Sequence, residues 1–212
     1  QIIADFAEKY DTFVITDVVY EHIVYQPNKH VYFATLPRMA ERTITCSSLS
    51  KTYSITGWRL GYIFADEKII DVAKKVHDFL TVGAAHPLME TVVTALEFDD
   101  KYYSDFLAVY QHKKDLFING LKRLDLSFSD PQGAYYVLVN TDEFKVTNDI
   151  KFCEWLAREV GVGAVPGSSF FREDVNNYIR FHFAKNDDTL IEALNRLESL
   201  KKKAIASNGN FN

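Results

Sequence analysis

Apolar residues return every third or fourth position at the start of the chain, where Ile2, Ile3, Phe6 and Ala7 share one side of a predicted helix over residues 1–10. The pattern then changes to a β-branched run, "TFVITDVVY" from Thr12, which predicts a buried strand with one charge, Asp17, near its end. "RTITCSS" from Arg42 and "RLGYIFA" from Arg59 predict two more strands. Asp66 ahead of "EKIIDVAKKVHDFL" predicts a capped helix with Ile69, Val72, Ala73, Val76 and Leu80 on one stripe. "GAAHPLM" interrupts the periodicity, and two helices are expected after it, over about 88–98 and 102–124.

After Leu124 the texture is different. "GAYYVLV" from Gly133 predicts a strand, and "DIKFCEWLAREV" from Asp149 a helix with Ile150, Cys153, Ala157 and Val160 on one face. "VGAVPG" reads as a short strand ending in a turn. "YIRFHFA" alternates, with Ile179, Phe181 and Phe183 on one side and Arg180 and His182 on the other. A last helix is expected over 187–202, with Leu190, Ile191, Leu194 and Leu197 inward. Strand and helix alternate early without hairpin turns, so the fold class is α/β with a mostly parallel sheet, followed by a C-terminal α+β small domain. The expected division is 1–87 for part of a larger domain, 88–124 for connecting helices, 125–200 for the small domain and 201–212 for a polar tail.

Composition narrows the function classes. The 212 residues are 47% hydrophobic and 25% charged, ordinary values for a globular protein. A net charge of -5, with Lys201, Lys202 and Lys203 as the only basic run, gives no support for a nucleic-acid partner. No apolar run reaches membrane-spanning length and no signal peptide is visible. Two cysteines, Cys46 and Cys153, lie far apart and predict reduced thiols and a cytoplasmic protein. The six histidines show no metal-ligand spacing, so no metal is expected. The chain starts without methionine, inside an amphipathic pattern, so its N-terminus reads as cut.

Two places carry candidate chemistry. Asp17 stands where an apolar strand gives out, the end at which open α/β sheets gather ligands, and Tyr20 follows it by three residues. A carboxylate there is either a strand-end turn residue or one awaiting a cation. "SSLSKTYSITGWRLGY" then sets Ser47, Ser48 and Ser50 ahead of Lys51, with Thr56-Gly57 as a turn and Arg59 eight residues beyond the lysine. Hydroxyls at a strand end resemble a phosphate cradle, although neither G-x-x-x-x-G-K-[ST] nor G-x-G-x-x-G occurs. Arginine suits bidentate binding of phosphate or carboxylate. A lysine among neutral hydroxyls and near a cation loses proton affinity, which suits Schiff-base chemistry. Trp58 and Tyr62 read as packing, Cys46 as a small buried hydrophobe and His182 as a partly exposed strand residue. Gly163 and "PGSSF" at 166–170 either border a pocket or only turn the chain.

The run Ser48-Leu49-Ser50-Lys51, with Arg59 in "TGWRLGY", resembles the lysine signature of class I/II aminotransferases, fold-type I enzymes that use pyridoxal 5'-phosphate (PLP). "ITDVVYEHIVY" is similar to the family's Asp-x-x-Tyr strand, "PQGAYYVLV" to the start of its small domain and "YIRFHFA" to its C-terminal arginine strand, so the likeness runs to about Leu200. The resemblance makes residues 1–87 part of the PLP-binding domain. It implies that Lys51 holds PLP as a Schiff base and shuttles the substrate's α-proton. Asp17 pairs with the pyridinium nitrogen, and Tyr20 hydrogen-bonds the ring's phenolic oxygen. Ser48 and Arg59 hold the phosphate, and Arg180 takes the substrate's α-carboxylate. The implied partners are an L-amino acid and a 2-oxo acid in a ping-pong cycle, and a second subunit in a homodimer. Aspartate, aromatic and kynurenine-like donors all fit.

Two departures stand out. Val18 occupies a position that is acidic in many relatives. Members are about twice this long, and the phosphate-capping glycine turn, the ring-stacking aromatic and an Asn-Pro asparagine would precede Gln1. Two other readings are a PLP-dependent carbon–sulfur lyase on the same fold and a truncated, non-catalytic fragment serving in binding or dimerisation.

Overall fold

The two β-branched runs pair side by side in the computed structural model, which describes residues 1–211. β1 (Val14–Asp17) lies parallel to β2 (Thr43–Ser48), with Asp17 opposite Cys46. β3 (Gly61–Phe64) runs antiparallel to β2, with Gly61 opposite Ser48. The sheet thus has one parallel and one antiparallel pairing, because only a short link separates β2 from β3 whereas a long crossover separates β1 from β2. α1 (Ile2–Lys9) precedes β1 and buries Ala4 and Ala7 against Met39. Its bulky side, Ile2, Ile3 and Phe6, is exposed, so the small residues make the contact.

Gly61 is set by packing rather than by backbone conformation. A Cβ there would stand 2.7 Å from the Ser47 carbonyl oxygen, and a backbone atom inside a ladder cannot step aside. Gly61→Ala is expected to cost about 1–3 kcal/mol, the usual range for an overpacked site. Urea unfolding reads this as a lower midpoint at unchanged slope.

The lysine segment follows β2 directly as α2 (Leu49–Thr52). Leu49 and Leu60 form a small core with Val92 of α4 (His86–Leu96), and Tyr53, Trp58 and Tyr62 pack against it. Between β3 and α4, α3 (Glu67–Thr81) begins as expected, with the Asp66 carboxylate accepting from the Lys68 amide at 3.0 Å. Its apolar stripe is only partly covered: Ile69 and Ala73 are half-buried, while Val72 is 60% exposed and Leu80 76%.

The chain divides into two compact units, Gln1–Phe106 and Leu107–Asn212, with the boundary inside α5 (Asp100–Arg123). In the second unit, β4 (Tyr136–Asn140), β6 (Tyr178–His182) and β5 (Val165–Pro166) form an antiparallel sheet in the order β4-β6-β5. Val137, Val139, Ile179 and Phe181 face a core shared with Phe117 and Leu121 of α5.

Three expectations change here. α6 (Asp149–Trp155) buries Phe152, Cys153 and Trp155, while Ile150 and Ala157 are exposed. The larger side chains take the core, and a wider π turn over Leu156–Val160 continues the helix. The last helix is two: α7 (Asp187–Leu197), with Ile191 exposed, and α8 (Leu200–Ser207). The residues read as a polar tail are largely α8, and Phe211 beyond it docks on Phe152 and Trp155 at ring separations of 4.8 and 5.0 Å. Asn212 lies outside the described residues.

Candidate active site

The pairing in the first unit brings Asp17, Ser48, Lys51 and Arg59 to one edge of the sheet. β1 and β2 are parallel and end there, and antiparallel β3 begins there. The Leu49 amide donates to the Leu60 carbonyl at 3.1 Å and extends the ladder to the foot of the lysine segment. Asp17 is exposed, and its carboxylate accepts from the Val19 amide at 3.0 Å. The turn continues with the Glu21 amide on the Val18 carbonyl at 2.9 Å, which places Tyr20 at the same edge.

Ser48 caps α2. Its hydroxyl accepts from the Ser50 amide at 3.1 Å and stands 2.6 Å from the Ser50 hydroxyl and 3.1 Å from the Leu60 carbonyl. Ser50 is buried, and the Thr56 hydroxyl donates to its carbonyl at 3.3 Å. These bonds fold residues 48–60 into a closed loop around Lys51. The lysine is half-buried, and among the described residues its amine makes no hydrogen bond or ion pair. Asp17 has no cation partner among the described residues either. Arg59, in the left-handed region at φ 56°, uses one N–H on the Thr56 carbonyl at 3.0 Å and keeps the rest of its fork free. The structure thus brings five of the six sequence-assigned residues to one sheet edge.

The sixth, Arg180, lies in the second unit. Its guanidinium is sandwiched between two rings, 4.2 Å from the centre of Tyr136 and 3.9 Å from that of Phe170. Among the described residues it has no carboxylate partner. Stacking occupies its faces and leaves its N–H edge for an incoming anion.

Sequence reasoning missed what builds this sandwich. Asp149 is buried, and its carboxylate accepts from the Ser168 amide at 2.7 Å and the Ser168 hydroxyl at 2.9 Å. That clamp fixes the loop carrying Phe170. Gly167 is needed there because a Cβ would collide with the Tyr178 carbonyl. The one legible signal was an acidic residue opening an apolar helix, which by itself reads as a cap. Burial, then the charges of Lys185 and Arg180, lower the His182 pKa. Burial, then Asp149, push the Cys153 thiol up to about 12, so it is inert at neutral pH. No helix among the described residues is long and apolar enough to cross a membrane, and no cluster there could hold a metal ion.

The donor set fits a phosphorylated aldehyde: an amine with no partner among the described residues, hydroxyls, a guanidinium fork and a carboxylate at one sheet edge. Residues 1–197 match the family model described as aminotransferase class I and II. The chain is 34% identical to methionine aminotransferase of Escherichia coli K12, covering 90% of this chain and 50% of that protein. It is 35% identical to kynurenine–oxoglutarate transaminase of Dictyostelium discoideum, over 95% and 52%. The solved structure of N-succinyldiaminopimelate aminotransferase from Mycobacterium tuberculosis matches at TM-score 0.88 and 32% identity, over 93% and 52%. The chain spans about half the length of these relatives. It belongs to the class I and II aminotransferases.

Proposed function

We propose that the protein containing this chain moves an amino group between an L-amino acid and a 2-oxo acid, with PLP bound through Lys51. The observation that carries this reading is the Lys51 amine, half-buried and unpaired among the described residues, on the sheet edge that also carries Asp17 and Arg59. PLP, when bound, supplies an aldehyde that condenses with amines and a ring that accepts electrons.

This chain's residues do the rest. Lys51 Nζ holds the aldehyde, then carries the proton between the substrate's α-carbon and the cofactor. The Asp17 carboxylate keeps the ring nitrogen protonated, and the Tyr20 hydroxyl binds the ring's phenolic oxygen. Ser48 turns its single proton from the Leu60 carbonyl to the phosphate, and Arg59 adds its free N–H groups. Arg180 takes the substrate's α-carboxylate bidentately. In this reading residues 1–87 belong to the cofactor domain, 88–124 connect, and 125–200 form the substrate-clamping domain of a cytoplasmic homodimer.

The test is product analysis with amino donors of the aspartate, methionine and kynurenine classes, each with and without a 2-oxo acid. The expected result is one amino group transferred per oxo acid consumed, and nothing without it. Release of ammonia and pyruvate in the absence of oxo acid would indicate a lyase and overturn the assignment.

A further inference from the structure

Glu21 follows Tyr20 and is nearly buried, its side chain 10% exposed. A carboxylate there costs free energy unless its lone pairs are met. Tyr62 donates to Glu21 Oε1 at 3.2 Å, Tyr32 lines the same cavity, and His22 Nε2 stands 3.8 Å away. Two routes leave this point. Tyr62 sits opposite Ser47 across the β2–β3 ladder. The His22 ring rests on Tyr103 with centres 4.4 Å apart, and the Tyr103 hydroxyl lies 2.8 Å from that of Tyr53. The Tyr53 amide in turn closes α2 on the Leu49 carbonyl at 3.2 Å. Both routes therefore end within four residues of Lys51.

We propose that Glu21 is a positioning residue that ties the turn carrying Asp17 and Tyr20 to the segment carrying Lys51. The inference rests on the reading of those three as cofactor residues. Burial raises the Tyr62 pKa, and burial followed by the nearby Glu21 carboxylate raises that of Tyr32, so both phenols are protonated at neutral pH. Burial outweighs the pull of Glu21 on His22 and lowers its pKa, with His30 pushing the same way. The groups facing Glu21 are thus two neutral phenols and a predominantly neutral imidazole, and the carboxylate serves as an acceptor hub.

The test pairs PLP binding, followed by visible absorbance, with amide hydrogen exchange in the same chain. Glu21→Ala and Tyr62→Phe are each expected to weaken PLP binding about ten-fold. Exchange should quicken in residues 49–54 as well as 17–22. Glu21→Gln, whose amide oxygen still accepts from Tyr62, should restore affinity to within about two-fold. The double variant should be no worse than either single one. Unchanged affinity in Glu21→Ala and Tyr62→Phe, or additive losses, overturns the proposal. If the protein containing this chain, unmodified, takes up no PLP, the functional reading fails separately. The exchange data then decide alone: faster exchange at 49–54 in Glu21→Ala supports the tie, and faster exchange confined to 17–22 refutes it.

Discussion

Lys51→Ala in the protein containing this chain is expected to lower kcat for amino transfer by about 100,000-fold while leaving the fold intact. Removing a group that both holds the cofactor and moves the proton leaves only binding and electrostatics, and losses of that order follow when such a group is deleted. The structure separates this loss from unfolding. Lys51 makes no side-chain hydrogen bond or ion pair among the described residues, and its amine contributes nothing to the Ser48–Ser50–Leu60 bonds that close the loop. Steady-state kinetics beside thermal unfolding reads both: kcat collapses and the midpoint stays within a few degrees. A drop in stability that accounts for the lost activity would contradict the assignment.

Arg180→Ala is the second large effect. A bidentate guanidinium–carboxylate pair that forms only when substrate arrives is worth about 2–4 kcal/mol, or about 30- to 1,000-fold in kcat/KM. The ring sandwich of Tyr136 and Phe170 makes the geometry stricter than the charge alone. Lysine has no planar fork to stack, so Arg180→Lys should recover less than half of the lost free energy. The discriminating measurement compares an amino acid with the amine that lacks its carboxylate. The native protein is expected to prefer the acid strongly, and Arg180→Ala should all but erase that preference. A preserved preference would place the carboxylate site elsewhere.

Local chemistry made part of this visible before the structure. β-Branched runs marked β1 and β2, and a lysine among hydroxyls at a strand end stood out because ordinary loops do not cluster them so. Clean alternation around Arg180 showed which side of β6 it faces. What was hidden depends on distant segments meeting. Glu21 reaches Tyr62 across 41 positions. Phe170 reaches Arg180 only because Asp149 clamps Ser168 nineteen residues away. Neither contact leaves a periodic trace. The buried face of α6 differs from the periodic expectation because Phe152, Trp155 and Leu156 outcompete smaller residues for the core. A single aromatic, Phe211, is buried although it lies in a polar tail that composition alone reads as solvated.

The most direct test is covalent capture. The protein containing this chain is mixed with PLP, reduced with borohydride, digested with trypsin and mapped by mass spectrometry. The account predicts a pyridoxyl label on Lys51 in preference to every other lysine. Modification blocks cleavage there, so the label should lie in a single peptide spanning residues 43–59. An unlabelled Lys51, with label absent or spread over surface lysines, would contradict it.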